Sequence, residues 1–253
     1  MNNQEFTSFL IRLSLGFIYL SAGWAKFAPN DLGNLIGPVD ISHVTESVAI
    51  LTTFKFIGFF QMVIGALILS QRYSLFGLLA LFPLSFAMFV FTLVGGFGGT
   101  PIFNFIFLLM NCYALIIEKE NIKKLIARRN LSNIDSVVSK DFPNEKLPHL
   151  SFGLLLILVL TSFWQSGLII NVIGTSFIAV IFLNLFQYKK FNLLDRIILL
   201  LFLLICFSVT NGIVINKFID KFYYSIFYFI FLGFVIYFIR LFMTAYQRRE
   251  KLV

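Results

Sequence analysis

The chain has 253 residues, of which 59% are hydrophobic and only 13% charged, with a mean hydropathy of +0.91. Soluble domains carry roughly 25% charged residues, so a water-soluble fold is excluded and an all-α, polytopic helical bundle in a membrane is expected. The net charge of +8 does not point to nucleic acid, because positive charge on membrane proteins collects in their cytoplasmic loops.

The first apolar run covers about 8–27. Within it, Arg12, Gly16, Tyr19, Gly23 and Lys26 are spaced +4, +3, +4 and +3, so on a helix they share one face with a cation at each end. Lipid cannot satisfy such a stripe, which must therefore meet other protein or trapped water. Ala28-Pro29-Asn30-Asp31 ends the run, since proline cannot continue the hydrogen-bond ladder. The first residues, Met-Asn-Asn-Gln-Glu-Phe, lack a basic leader region, so an uncleaved span is expected. The segment to about residue 47 carries Asp31, Asp40 and Glu46 but no Lys or Arg. It reads as a non-cytoplasmic loop, apolar enough to fold back as a cap.

A second span is expected at about 48–70, with Lys55, Gly58, Gln61 and Gly65; the two glycines are seven apart and share a face. The third runs about 74–95 and contains Pro83, an expected kink. A glycine-rich turn, Gly95 to Pro101, leads to the fourth at about 102–118, with Asn104 and Asn111 on one face. The stretch 119–148 holds seven Lys or Arg residues and opens with a short amphipathic pattern, Asn121 to Arg129, suited to a lipid surface. Four further runs follow at about 149–165, 168–187, 193–212 and 219–243, and the tail is basic. The expected organisation is a four-helix unit at 1–118, a basic cytoplasmic loop at 119–148 and a second unit of about four helices at 149–253. With about eight spans and both termini in the cytoplasm, most loop cations fall on the inner side, and Lys217 and Lys221 are the outer exceptions.

Several chemistries lack their residues. Cys112 and Cys206 stand alone without a CxxC, and His43 and His149 lie outside the confident spans. No metal-ligand spacing is present, so no metal site is expected. Nor is there a phosphate loop, HExxH or GxSxG motif. The ligand-binding candidates are Lys26, Lys55, Gln61, Tyr19 and Arg12. Lys26 and Lys55 fall at similar depth near the outer surface, facing the acidic cap loop or an anionic ligand. Tyr19 needs a hydroxyl partner, for which Gln61 is the internal candidate. Arg12 either pairs with the cytoplasmic end of another span, for which Gln61 and Gln71 are polar candidates, or reaches the head groups. Arg240 is expected to snorkel at the inner end of the last span, and Asp195-Arg196 to sit at the interface.

The motif Arg12-Leu-x-Leu-Gly16-x-Ile-x-Leu-x-x-Gly23-x-x-Lys26-Phe27 resembles the first helix of the DoxX family of small bacterial membrane proteins. Gly58-x-x-Gln61-x-x-x-Gly65 is similar to that family's second helix. Where the usual pattern has a glutamate between the glycines this chain has Gln61, which removes an ionisable group. The resemblance covers about residues 5–118. It implies a four-helix bundle there, a place in the bacterial cytoplasmic (inner) membrane, and association with a redox complex that uses a quinone. Lys26, Tyr19 and Gln61 would then donate hydrogen bonds to the quinone carbonyls. No intrinsic cofactor is visible in the sequence. Two other functions fit the architecture: a transporter or permease, for which no intramembrane carboxylate offers a coupling site, and a scaffold or assembly factor that docks a protein partner through the basic loop.

Overall fold

The computed structural model describes residues 1–28, 31–35, 48–127, 146–161, 168–222 and 224–250, with the side chains of 48–51, 147–148 and 246–250 excepted. Among these residues the chain is all-helical. The helices are α1 (Asn3–Phe27), α2 (Val48–Leu69), α3 (Ser74–Val94), α4 (Thr100–Ile117), α5 (Lys119–Ile126), α6 (Lys146–Thr161), α7 (Leu168–Phe186), α8 (Leu193–Ile215) and α9 (Tyr224–Glu250). Seven of them are long and apolar enough to cross a membrane, as a polytopic bundle requires. The eighth expected span, α6, has an apolar stretch of only His149–Thr161, and the residues that would extend it, 162–167, lie outside the described set.

Local chemistry sets several helix ends. Asn2 caps α1 through a capping box with Glu5, and Asn192 caps α8 in the same way with Asp195, which satisfies amide donors that would otherwise face the head-group region unpaired. Gly96 and Gly98 adopt φ of +67° and +53° in the turn between α3 and α4, a backbone region that side-chain-bearing residues rarely enter. Helix α3 runs unbroken through Pro83. Helix α5 is amphipathic and buries none of its residues. On it, the hydrogen bond from Lys123 and that residue's charge hold the Glu120 carboxyl below its ordinary range.

Helix α1 is the centre of the molecule. Of its most apolar stretch 78% is buried, against 11% for α9, 22% for α4 and 28% for α3. Its two faces meet different partners. Phe6, Phe9, Leu13, Phe17, Leu20 and Trp24 pack into one core with Leu158 on α6, Phe177 and Phe182 on α7, and Leu199 and Ile205 on α8. Rings interlock across this contact, with Phe9 edge-on to Phe191 at 5.1 Å and Phe17 edge-on to Phe202 at 6.4 Å between centroids. The opposite face, with Leu15, Ile18 and Tyr19, packs against Ile64 and Ile68 of α2, Leu78 and Leu81 of α3, and Phe107 and Ala114 of α4. The far end of α1 is covered by residues 31–35: Trp24 Nε1 donates to Gly33 O at 2.7 Å, and Leu32 is buried in the larger core. The rest of the expected cap, including Asp40, His43 and Glu46, lies outside the described residues.

The contact between α1 and α2 is built on glycine. A Cβ at Gly23 would stand 2.5 Å from Gly58 O, and one at Gly65 would stand 2.6 Å from Gly16 O. The backbones therefore touch at two points one heptad apart, the close approach that small residues permit between helices in lipid.

Candidate functional site

The sequence stripe on α1 faces α2, α3 and α4, and its polar members sit at three depths. Arg12 is wholly buried near the start of α1. Its Nη1 donates to Ser74 Oγ at 3.1 Å, and its Nη2 makes a buried ion pair with Glu118, the residue capping the end of α4. Glu118 also accepts from Asn121 Nδ2, which ties α5 to the same cluster. Of the two expectations for Arg12, the end of another span and the head groups, the structure has the first: its partner Glu118 stands at the end of α4. The guanidinium takes a carboxylate, whose geometry suits its planar fork.

At the other end of the stripe Lys26 is half-buried. Its Nζ donates to Ala22 O and to Gln61 Oε1, both at 2.8 Å. Gly58 lies under the lysine stem, where a Cβ would meet Lys26 Cβ at 3.1 Å. Lysine and glutamine are brought together because the glycine contact places α2 one backbone away. Lys55, three residues before Gly58 on α2, is exposed, and Asp40 and Glu46 of the expected cap lie outside the described residues. Gln61 is not bonded to Tyr19.

Tyr19 lies between these ends and is 3% exposed, and its hydroxyl has no hydrogen-bond partner. Ser85 on α3 lies beside the Tyr19 hydroxyl without completing a well-formed hydrogen bond to it, and donates its own proton to Phe82 O. Asn111 on α4 is wholly buried, and neither its amide nitrogen nor its carbonyl oxygen is bonded. Farther along α4, Asn104 Nδ2 donates to Thr92 Oγ1 of α3 at 3.0 Å.

A second buried ion pair joins α8 and α9. Arg240 Nε donates to Asp195, Nη1 to Asn3 Oδ1 at 2.7 Å and Nη2 to Met1 O at 3.2 Å, while its Cζ stands 4.0 Å above the Phe6 ring. Thr7 and Tyr237 hydroxyls meet at 2.6 Å beside it. Arg240 does not extend outward to snorkel but is buried against Asp195, which is buried too. These contacts also place the start of α1 and the later part of α9 at one end of the bundle. Two buried carboxylates, Glu118 and Asp195, therefore exist where the sequence offered none. The signal that could have revealed them is topological. In four antiparallel spans the start of the first and the end of the fourth share a depth, as do the start of the seventh and the end of the eighth.

Comparison with protein-family models, with curated proteins and with solved structures finds no match for this chain.

Proposed function

We propose that the protein is a DoxX-like subunit of a redox complex in a bacterial cytoplasmic membrane, and that it holds a quinone at the far end of the α1–α2 contact. The observation that carries this reading is the Lys26–Gln61 pair. The Lys26 ammonium has three protons; two are committed to Ala22 O and Gln61 Oε1, and the third is suited to a carbonyl oxygen. Gln61 holds the ammonium in place, and the apolar walls of the seam suit a lipid-soluble ring. A quinone, when bound, supplies two-electron redox capacity in a form that moves within the bilayer. The charge distribution, with the basic segment 119–148 and the basic tail against an acidic loop after α1, supports both termini facing the cytoplasm.

Purification in mild detergent, followed by solvent extraction and mass spectrometry, tests the reading. Wild-type protein retains quinone, whereas Lys26→Ala and Gln61→Ala lose most of it and Lys55→Ala does not. Equal retention by Lys26→Ala and wild type would sink the assignment.

A second reading, a transporter for a small polar solute, is favoured by one observation. Polar side chains recur through the depth of the α1–α4 seam, and a buried Arg12–Glu118 pair stands at one end of it. Uptake into proteoliposomes that depends on Glu118 would support it over the first.

A further inference from the structure

The polar groups of α1 and α4 form a ladder with a period of seven. On α1 they are Arg12, Tyr19 and Lys26; on α4, running the other way, they are Glu118, Asn111 and Asn104. The Arg12–Glu118 contact fixes the register. Seven residues advance about 10 Å along an α-helix, so each step moves both helices by the same distance. Tyr19 and Asn111 therefore share a depth, and so do Lys26 and Asn104. The packing agrees: Tyr19 lies in one apolar cluster with Phe107 and Ala114, which flank Asn111 on its face of α4. Helix α3 adds a hydroxyl to each level, with Ser74 at the first, Ser85 beside Tyr19 at the second and Thr92 bonded to Asn104 at the third.

Arg12 and Glu118 at the first level, and Lys26 and Asn104 at the third, are hydrogen-bonded within the protein, whereas Tyr19 and Asn111 at the second are not. There the Tyr19 hydroxyl and both polar atoms of the Asn111 amide are buried without partners. Surrounded by protein and lipid, these groups have no bulk water to turn to, and native proteins rarely leave such atoms unsatisfied. A carboxamide and two hydroxyls at one depth offer the two to four partners that a buried water needs.

We propose that the middle level, between Tyr19, Ser85 and Asn111, is a binding site for internal water. The water accepts from one donor and gives to the Asn111 carbonyl and the Tyr19 oxygen, which satisfies the middle level locally. The site is distinct from the Lys26–Gln61 position and does not depend on any quinone.

The test uses the protein in lipid nanodiscs exposed to brief X-ray pulses in water enriched in oxygen-18. Hydroxyl radicals formed from bound water label the side chains beside it. Phe17 is the internal control, equally buried but facing an apolar core. Oxygen-18 addition at Tyr19 well above that at Phe17 is expected, with the yield at Tyr19 falling several-fold in Asn111→Leu. Labelling of Tyr19 no greater than that of Phe17 in the wild type overturns the proposal without any variant having to fold. A thermal double-mutant cycle gives an independent reading. If one water is shared, Tyr19→Phe and Asn111→Leu each lower the melting temperature, and the pair together lower it by less than their sum. If either substitution raises it, the atoms were truly unsatisfied and the proposal fails.

Discussion

The Arg12–Glu118 pair gives the sharpest energetic prediction. Both side chains are 0% exposed. Arg12→Met takes the guanidinium away from a carboxylate that is itself fully buried. Removing one partner of a buried ion pair costs about 3–5 kcal/mol, because the surviving charge loses its compensation, whereas replacing both with apolar residues is often close to neutral. Arg12→Met should therefore shift the unfolding equilibrium by roughly two to four orders of magnitude, at about 1.4 kcal/mol per tenfold, and Glu118→Met by a similar amount. Arg12→Met/Glu118→Met should recover most of that loss. The assay is equilibrium unfolding in mixed micelles with increasing denaturing detergent, followed by tryptophan fluorescence. The argument is refuted if either single variant costs under about 1 kcal/mol, the range of an exposed ion pair, or if the double variant costs the sum of the singles.

Three further outcomes follow from contacts described above. Gly23→Ala and Gly65→Ala each force backbone apart and should cost about 1–3 kcal/mol in the same assay, the usual penalty for overpacking. Gly153→Ala, on an exposed helix face with nothing within 4 Å of its added carbon, should be neutral or gain up to about 1 kcal/mol from helix propensity. Arg240→Lys should behave much like Arg240→Met, because an ammonium cannot span Asp195, Asn3 and Met1 while stacking on Phe6; amide hydrogen exchange at residues 3–7 should quicken in both, and unchanged exchange would remove the clasp from the account. Single cysteines placed at Gly98 and Lys124 in a cysteine-free background should react with a membrane-impermeant thiol reagent from opposite sides of the membrane, and labelling of both from one side would contradict the hairpin topology of α3 and α4.

The sequence disclosed what depends on local spacing. The glycines of α1 and α2 are seven apart on each helix, a pattern that only a tight helix pair explains, and the structure presses Gly16 on Gly65 and Gly23 on Gly58. Lys26, Tyr19 and Arg12 were legible as one stripe because helical periodicity alone puts them together. Their partners were not legible, because partnership depends on rotation and register between helices far apart in sequence. Glu118 is 106 residues from Arg12 and reads as the edge of a basic loop. Asp195 reads as an interfacial residue at the start of a span; it closes the capping box that Asn192 opens on α8, and its second role, toward Arg240, needs a helix far away in sequence.

The central position of α1 has a consequence for assembly. The aromatic face carrying Phe6, Phe9, Phe17 and Trp24 is completed by α6, α7 and α8, all of which are synthesised well after α1 has reached the bilayer. During that interval the face rests against acyl chains, which bulky apolar rings tolerate without exposing backbone polar groups. The glycine face can close on α2 almost at once. Assembly thus has a natural order, in which an early hairpin presents a greasy half-surface that waits for the later helices. A fragment ending after α5 would keep its polar seam but leave that half-surface facing lipid, free to recruit a second copy of itself.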